Sequence, residues 1–492
     1  MKKNKNILNV FVGVISQAII LCMGFIVPRI IMTNYGSDTN GLTNTVVQVF
    51  TYLALLQAGI SQAAKNALYK PIQEKDKKQI CLILSSAKLY FKRITVIYAI
   101  VVIILSFFLP FILKSNVPYW TIFFIVFFEG FTEVVSFYFI NTKTTFLTAI
   151  GKDYIKNIIE LIGKILCYIV KICLALKGLN IAIIQCGYFF ISLIKMVAYY
   201  IYMKKRYSWI DLQTPTNGYK LPDRNSFIIT EIAWTVFSST DMIVLSTFVS
   251  TALSSVYSVY NLVFVSINNL LSSIFYSITY NLGIAYNEDK KKYVKMHDIF
   301  QSLFVGGMTS LMCISYILIL PFVTLYTKSI NDIQYVFKSL PIMFCLVQIF
   351  SWSRYVQGTL IGIAGFAKRV TKISILEAAL NAILSIVLVN RMGIIGVLLA
   401  TVSVLPIKIV YSTYLADHMI LKRGYHNTLK ILTTNYLFFF CTVYISKYIN
   451  LSINNAIDFI KWGVILSLIF VLVGALINYI ANPNLKDIRK IF

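Results

Sequence analysis

Apolar runs dominate this chain, and their length decides the fold class. Residues 7–28, 94–113, 299–327 and 462–485 contain no charged side chain. Crossing the hydrocarbon core of a bilayer takes about 20 helical residues, and each of these runs is that long. Polar stretches separate further runs of the same kind. Together they predict fourteen helices. The first seven lie near 7–32, 43–64, 90–113, 119–140, 155–176, 181–203 and 226–248. The others lie near 254–283, 298–326, 336–361, 371–390, 394–416, 431–449 and 458–480. The expectation is an all-α polytopic membrane protein, and an even number of crossings puts both tails on one side.

The connections alternate in character. Stretches 65–80, 141–156, 204–224, 284–296, 362–372 and 417–430 are rich in Lys and Arg, and so are both tails. The opposite connections are short, and their basic residues are Lys114, Lys177, Lys328, Lys338, Arg391 and Lys447. Basic loops stay on the cytoplasmic side, which places both termini in the cytoplasm. Stretch 204–224 is the longest, contains Pro215, Gly218 and Pro222, and lacks apolar periodicity. It reads as a linker between two lobes. The expected layout is an N-lobe of six helices at 1–203, the linker at 204–224, a C-lobe of six helices at 225–416, and two additional helices with a basic tail at 417–492.

The lobes carry a faint repeat. Residues 145–152 align on 358–365, with Leu147 on Leu360 and Ile150 on Ile363. At a similar offset, the first inter-helix turn, 34–41, aligns on 247–254. Six helices per unit gives parallel repeats around a central cavity. Transporters built from repeated halves bind cargo near the bilayer midplane at the repeat interface.

Composition agrees. The 492 residues are 58% hydrophobic and 13% charged, against about 25% charged in soluble proteins. The net charge of +26 follows the loop asymmetry and needs no nucleic acid. The eight cysteines are scattered without a C-x-x-C pair, and read as small hydrophobes. The three histidines, His297, His418 and His426, fall in or beside the basic loops. No metal or cofactor motif is visible. The Lys-rich amino terminus resembles a signal-peptide start, but the apolar run behind it is too long. It reads as a retained first helix.

Six cations sit well inside apolar segments: Arg29, Lys164, Lys171, Lys195, Arg354 and Lys408. A cation facing lipid at that depth costs about 2.5–3.5 kcal/mol on insertion scales. A hydrated, partly cationic cavity removes the cost and suits an anionic cargo. Lys156, Glu160, Lys164 and Lys171 share one stripe of the fifth helix, and Glu129 and Glu133 share a face of the fourth. These groups either neutralise one another across a helical hairpin or line a cavity wall. Arg29 follows Pro28 and lies almost opposite Asp241 in the repeat. Asp241 is a candidate proton or sodium site, or a counter-ion for Arg29. Arg354 can grip two phosphate oxygens with its fork. Glu377 and Lys408, on neighbouring helices, can pair. Glu231 reads as an interface residue and Lys461 as a snorkelling one. There is no G-x-x-x-x-G-K-[ST], H-E-x-x-H or G-x-S-x-G, and no long outer loop to hold catalytic groups. A transporter, rather than an enzyme, is expected.

Several stretches resemble the O-antigen and capsule repeat-unit flippases of the multidrug/oligosaccharidyl-lipid/polysaccharide exporter superfamily. They are 28–42 (PRIIMTNYGSDTNGL), 144–154 (TTFLTAIGKDY), 241–245 (DMIVL) and 256–260 (VYSVY), together with the fourteen-helix plan. The resemblance implies twelve core helices around a V-shaped cavity with alternating access, in the bacterial cytoplasmic membrane. The implied cargo is an oligosaccharide on undecaprenyl diphosphate, with polymerase and chain-length proteins in the same pathway. Related lipid II flippases place an arginine where Arg29 stands, but Ile30 replaces their neighbouring acid. The last two helices would form a groove for the lipid tail. On this reading Arg29, Lys164, Lys171, Lys195, Arg354 and Lys408 hold the cargo, while Glu129, Glu133, Asp241 and Glu377 balance charge or couple an ion. The rivals are an ion-coupled multidrug antiporter of the same superfamily and a membrane polysaccharide polymerase.

Overall fold

A computed structural model describes residues 2–216, 240–449 and 451–487. Most of the expected seventh helix, Glu231, the end of the expected linker and the last five residues lie outside them. The described chain is helical throughout, with no strand. Nine of its helices are long and apolar enough to cross a membrane, the polytopic membrane architecture expected. The chain divides into two compact units, Met1–Ser255 and Val256–Phe492.

In the first unit, α1 runs Lys2–Glu74 and is interrupted at Gly36, whose φ of 83° and ψ of 169° leave the helical region. Only glycine adopts such a conformation cheaply, and the interruption separates the first two expected helices. Then come α2 (Lys77–Ile112), capped by Asp76 accepting from the Gln79 N–H at 3.0 Å, and α3 (Tyr119–Val135). A π turn, Ser136–Ile140, carries α3 into α4 (Asn141–Ala149). Next are α5 (Asp153–Leu176) and α6 (Ile181–Arg206), the latter capped by Asn180 and ending in Lys204, Lys205 and Arg206. Cations in the last turn complement the helix dipole. Residues 240–248 are helical again.

The basic stretches 65–80 and 141–156 are not loops as expected: α1 continues to Glu74, α2 begins at Lys77, and α4 occupies 141–149. Lys, Glu and Gln are good helix formers, so their polarity ends the apolar run without ending the helix.

The apolar core of this unit joins α1, α2 and α3 through Val46, Phe50, Tyr98, Val102, Val126 and neighbours. Gly130 permits the closeness, since a Cβ there would lie 2.5 Å from Val102 Cγ1. α5 and α6 pack similarly, Gly187 against Val170 and Gly163 against the stem of Lys195.

The second unit begins inside the helix Thr251–Glu288 and continues with Lys290–Tyr326. The next crossing is broken at Arg354 into Leu340–Ser353 and Tyr355–Ile363. Ala367–Thr413 is interrupted at Gly393 (φ 53°, ψ −130°). The chain reverses there, because Asn381 Nδ2 donates to Thr401 Oγ1 at 2.7 Å. Twenty residues of straight helix would hold the two about 30 Å apart. A π turn, Tyr414–Ile420, precedes the last two helices, His426–Ser446 and Ala456–Ala481. Ala456–Ala481 lies closely on Lys290–Tyr326. A Cβ on Gly474 would sit 2.2 Å from Ser310 Oγ, and one on Gly306 would sit 2.4 Å from Asn478 Nδ2. Asn435 and Asn478 exchange amide hydrogen bonds at 2.9 and 3.0 Å. Small residues and polar side chains are what join helices in lipid.

Candidate functional site

The first unit gathers buried and half-buried charge at α3, α5 and α6. Lys195 Nζ lies 3.1 Å from Glu160 Oε2. Its aliphatic stem passes over Gly163, where any side chain would block it. Tyr199 OH, fully buried, donates to Glu160 Oε1 at 3.2 Å. Gln185 Nε2 donates to Glu129, and Lys171 Nζ stands 4.6 Å from the centre of the Tyr188 ring. Glu129 feels the charge of Lys171, and Glu133 feels Glu129, Lys195 and Glu160. Five expected charges therefore share one neighbourhood: Glu129, Glu133, Glu160, Lys171 and Lys195. The fifth-helix stripe splits, since Lys164 is exposed while Glu160 and Lys171 are half-buried. The α5 helix has 24 residues but is not among the nine apolar spans, because Glu160, Lys164 and Lys171 interrupt it.

Sequence reasoning singled out Lys195 but missed its polar neighbours on α6. Gln185, Tyr188, Ser192, Lys195 and Tyr199 are spaced 3, 4, 3 and 4 apart, which places them on one helical face. Reading that polar stripe as carefully as the one on α5 would have found them.

Arg29 occupies an exposed position on the first leg of α1, and Asp241 is buried in the 240–248 helix. Beside Asp241, Thr240 Oγ1 meets Tyr52 OH at 2.5 Å.

In the second unit, Arg354 sits at the break between two helices and bonds Glu377 through Nη1. Lys408 Nζ approaches the other oxygen of Glu377 at 3.4 Å. Side-chain exposures are 5% for Arg354, 3% for Glu377 and 18% for Lys408. The reversal at Gly393 brings Lys408 back beside Glu377, and Arg354 comes from a third helix. Two cations thus share one buried carboxylate.

A second buried cluster in this unit had no sequence signal. Arg423 donates to Asp298 through Nη1 (2.9 Å) and Nη2 (2.7 Å), and to Asp417 through Nε (2.8 Å). His297 Nδ1 lies 3.3 Å from Asp298 Oδ1. Asn482 donates to the Asp298 carbonyl at 2.9 Å and to Ser302 at 2.7 Å. Burial opposes the charge of Arg423, but the bonds and charges of Asp298 and Asp417 outweigh it and push its pKa up. Asp417 lies only six residues from Arg423, but Asp298 is 125 residues away, and the fold brings it to them.

Along one side of Ala456–Ala481 runs an apolar groove of about 590 Å³, lined by Ile314, Ile460, Gly463, Val464, Leu468 and Leu472 among others.

No family model matches this chain, and no curated protein matches its sequence. Solved structures match its fold. The lipid II flippase MurJ, in an inward closed conformation, matches with a TM-score of 0.68 over 96% of this chain and 99% of MurJ, at 16% identity. An inward-facing multidrug-resistance MATE transporter of the MOP superfamily matches with a TM-score of 0.65 over 82% of this chain and 95% of its own, at 12% identity. The MATE multidrug transporter DinF-BH, solved as a complex, matches with a TM-score of 0.59 over 86% and 97%, at 13% identity. Identities this low carry the fold alone: the chain is a multi-pass membrane protein with the fold shared by MurJ and the MATE transporters.

Proposed function

We propose that this chain is a lipid-linked oligosaccharide flippase, turning undecaprenyl-diphosphate-linked repeat units from the inner to the outer leaflet of a bacterial cytoplasmic membrane by alternating access. The observation that carries the reading is the Arg354–Glu377–Lys408 cluster. These three side chains place a guanidinium and an ammonium at one buried carboxylate. Gathering cations out of water is costly, and an oxyanion offsets that cost. The planar fork of a guanidinium matches the geometry of phosphate oxygens. The likeness to MurJ, a lipid II flippase, supports a lipid-linked cargo. The groove along Ala456–Ala481 is apolar enough to take a prenyl tail.

In this reading Arg29, Lys164, Lys171 and Lys195 assist with the diphosphate and acidic sugars. Glu377 is a counter-charge, since both its oxygens face cations. Glu129, Glu133 and Asp241 balance charge or couple a proton or sodium. Residues 1–203 and 225–416 act as the two lobes, joined by 204–224. Polymerase and chain-length proteins would act on the product. The test is surface polysaccharide in cells carrying Arg29→Ala or Arg354→Ala. Output should disappear while the protein remains in the membrane; full output from both variants contradicts the role.

A second reading, an ion-coupled multidrug antiporter, draws on the first unit, where Glu129, Glu133 and Glu160 outnumber Lys171 and Lys195. The multidrug transporter DinF-BH has the same fold. Export of a fluorescent cationic dye by cells whose polysaccharide output is unaffected by deletion of this chain would favour it.

A further inference from the structure

The geometry points to a binding site for one acidic glycerophospholipid in the groove between α5 and α6, at the basic end of α6. One acyl chain lies against Ile159, Ala198 and Ile201, and the phosphate meets Lys205 and Arg206. The site belongs to the first unit alone and needs no assumption about cargo.

The groove has a volume of about 440 Å³ and is lined by Ile159 of α5 and by Ala198, Ile201, Tyr202, Lys205 and Arg206 of α6. Small-molecule sites span about 300–1,000 Å³, and this groove falls among them. Ala198, Ile201, Tyr202 and Lys205 recur at helical spacing, which keeps them on one face of α6. Depth follows from length. The 26 residues of α6 extend about 39 Å, against a hydrocarbon core of about 30 Å. The surplus belongs at the charged end, where Lys204, Lys205 and Arg206 close the helix. The cations of the groove therefore stand at headgroup level. Ala198 lies about 10 Å below Lys205 along the helix, so the apolar floor reaches into the acyl chains.

The charge pattern decides the headgroup. The residues lining the groove include no carboxylate. Deeper in the same helix pair, Lys195 is answered by Glu160 at 3.1 Å. The two helices thus neutralise their internal cation but place no acid at the groove mouth. Beside Tyr202 stands Tyr207, with ring centres 6.3 Å apart, and its hydroxyl accepts from Lys152 Nζ at 2.6 Å. A further ammonium is held at this corner by a neutral phenol. Lys204 differs: its ammonium stands 5.9 Å from the centre of the Tyr200 ring, and it does not line the groove. An arginine fork matches phosphate oxygens, and cations beside a membrane span attract acidic lipids. A zwitterionic lipid brings an ammonium of its own to these cations; an acidic lipid does not.

The test is native mass spectrometry of the full chain in detergent, titrated with phosphatidylglycerol or phosphatidylcholine of identical acyl chains. Wild type should bind one phosphatidylglycerol more tightly than one phosphatidylcholine by about fivefold or more, the effect of a single cation on an acidic lipid. Lys205→Gln with Arg206→Gln should abolish that preference, while Lys204→Gln keeps it. Ala198→Phe, which fills the floor, should weaken phosphatidylglycerol binding several-fold. Equal binding of the two lipids by wild type overturns the site. A loss in Lys204→Gln matching that of the double variant also overturns it, because the cations then act only as diffuse surface charge. Undiminished binding by folded Ala198→Phe overturns the groove as the seat of the chain. If Ala198→Phe fails to fold, the charge variants decide alone. No lipid-linked sugar is used, so failure here leaves the flippase reading standing.

Discussion

Glu377 and Lys408 face each other at 3.4 Å although a helical reversal separates them, and Arg354 holds the other oxygen of the same carboxylate. Glu377 is therefore the common partner of two cations. Glu377→Gln should cost about 3–5 kcal/mol, the usual result of removing one member of a buried pair. Lys408→Met should cost less, because Arg354 keeps Glu377 paired and the Lys408 side chain is 18% exposed. Thermal unfolding of the detergent-solubilised variants checks the order; a Glu377→Gln protein as stable as Lys408→Met contradicts it.

Arg354→Lys separates charge from geometry. Lysine keeps the charge but not the planar fork that matches two phosphate oxygens. Polysaccharide output should fall while stability changes little. Wild-type output from Arg354→Lys would mean that charge alone serves the cargo.

Arg423 ties Asp298 and Asp417 together. Arg423→Gln leaves two buried carboxylates without their cation and should destabilise by about 3–5 kcal/mol. Adding Asp298→Asn and Asp417→Asn should recover a large part of that loss. A triple variant no more stable than Arg423→Gln would show that the cluster is not held by charge compensation.

Much of this architecture was legible from the chain. Uncharged runs of membrane-crossing length marked the helices, because hydrocarbon tolerates little else. Helix ends were less legible: Lys65, Lys70 and Lys143 lie on helices rather than loops, since leaving lipid does not require unwinding. Glu377 with Lys408 was readable as a pair on neighbouring helices. Arg354 was singled out as a phosphate-gripping arginine, but its bond to Glu377 was not foreseen, because it bridges helices whose register no sequence pattern fixes. Gln185, Tyr188 and Tyr199 were missed because neutral polar residues blend into an aromatic-rich helix. Arg423 was missed because it reads as one more basic residue in a basic loop.

Gly474→Leu tests how the last helix is seated. The Cβ alone would lie 2.2 Å from Ser310 Oγ, and overpacking of this kind costs about 1–3 kcal/mol. The variant should unfold at lower temperature and lose polysaccharide output, since the groove depends on the same contact. Gly463→Ala should be near neutral in stability, having only Leu318 Cδ1 at 3.8 Å. Equal behaviour of the two variants would contradict the packing described.

The central claim is that two cations gathered on one buried carboxylate serve a diphosphate-linked cargo. Its most direct measurement is transfer of a short-chain undecaprenyl-diphosphate oligosaccharide across proteoliposomes containing the purified chain, scored by the fraction a lectin can reach. Wild-type protein should expose the cargo, and a folded Arg354→Gln variant should do so at least tenfold more slowly. No transfer by the wild type, or equal rates from both proteins, would contradict the claim.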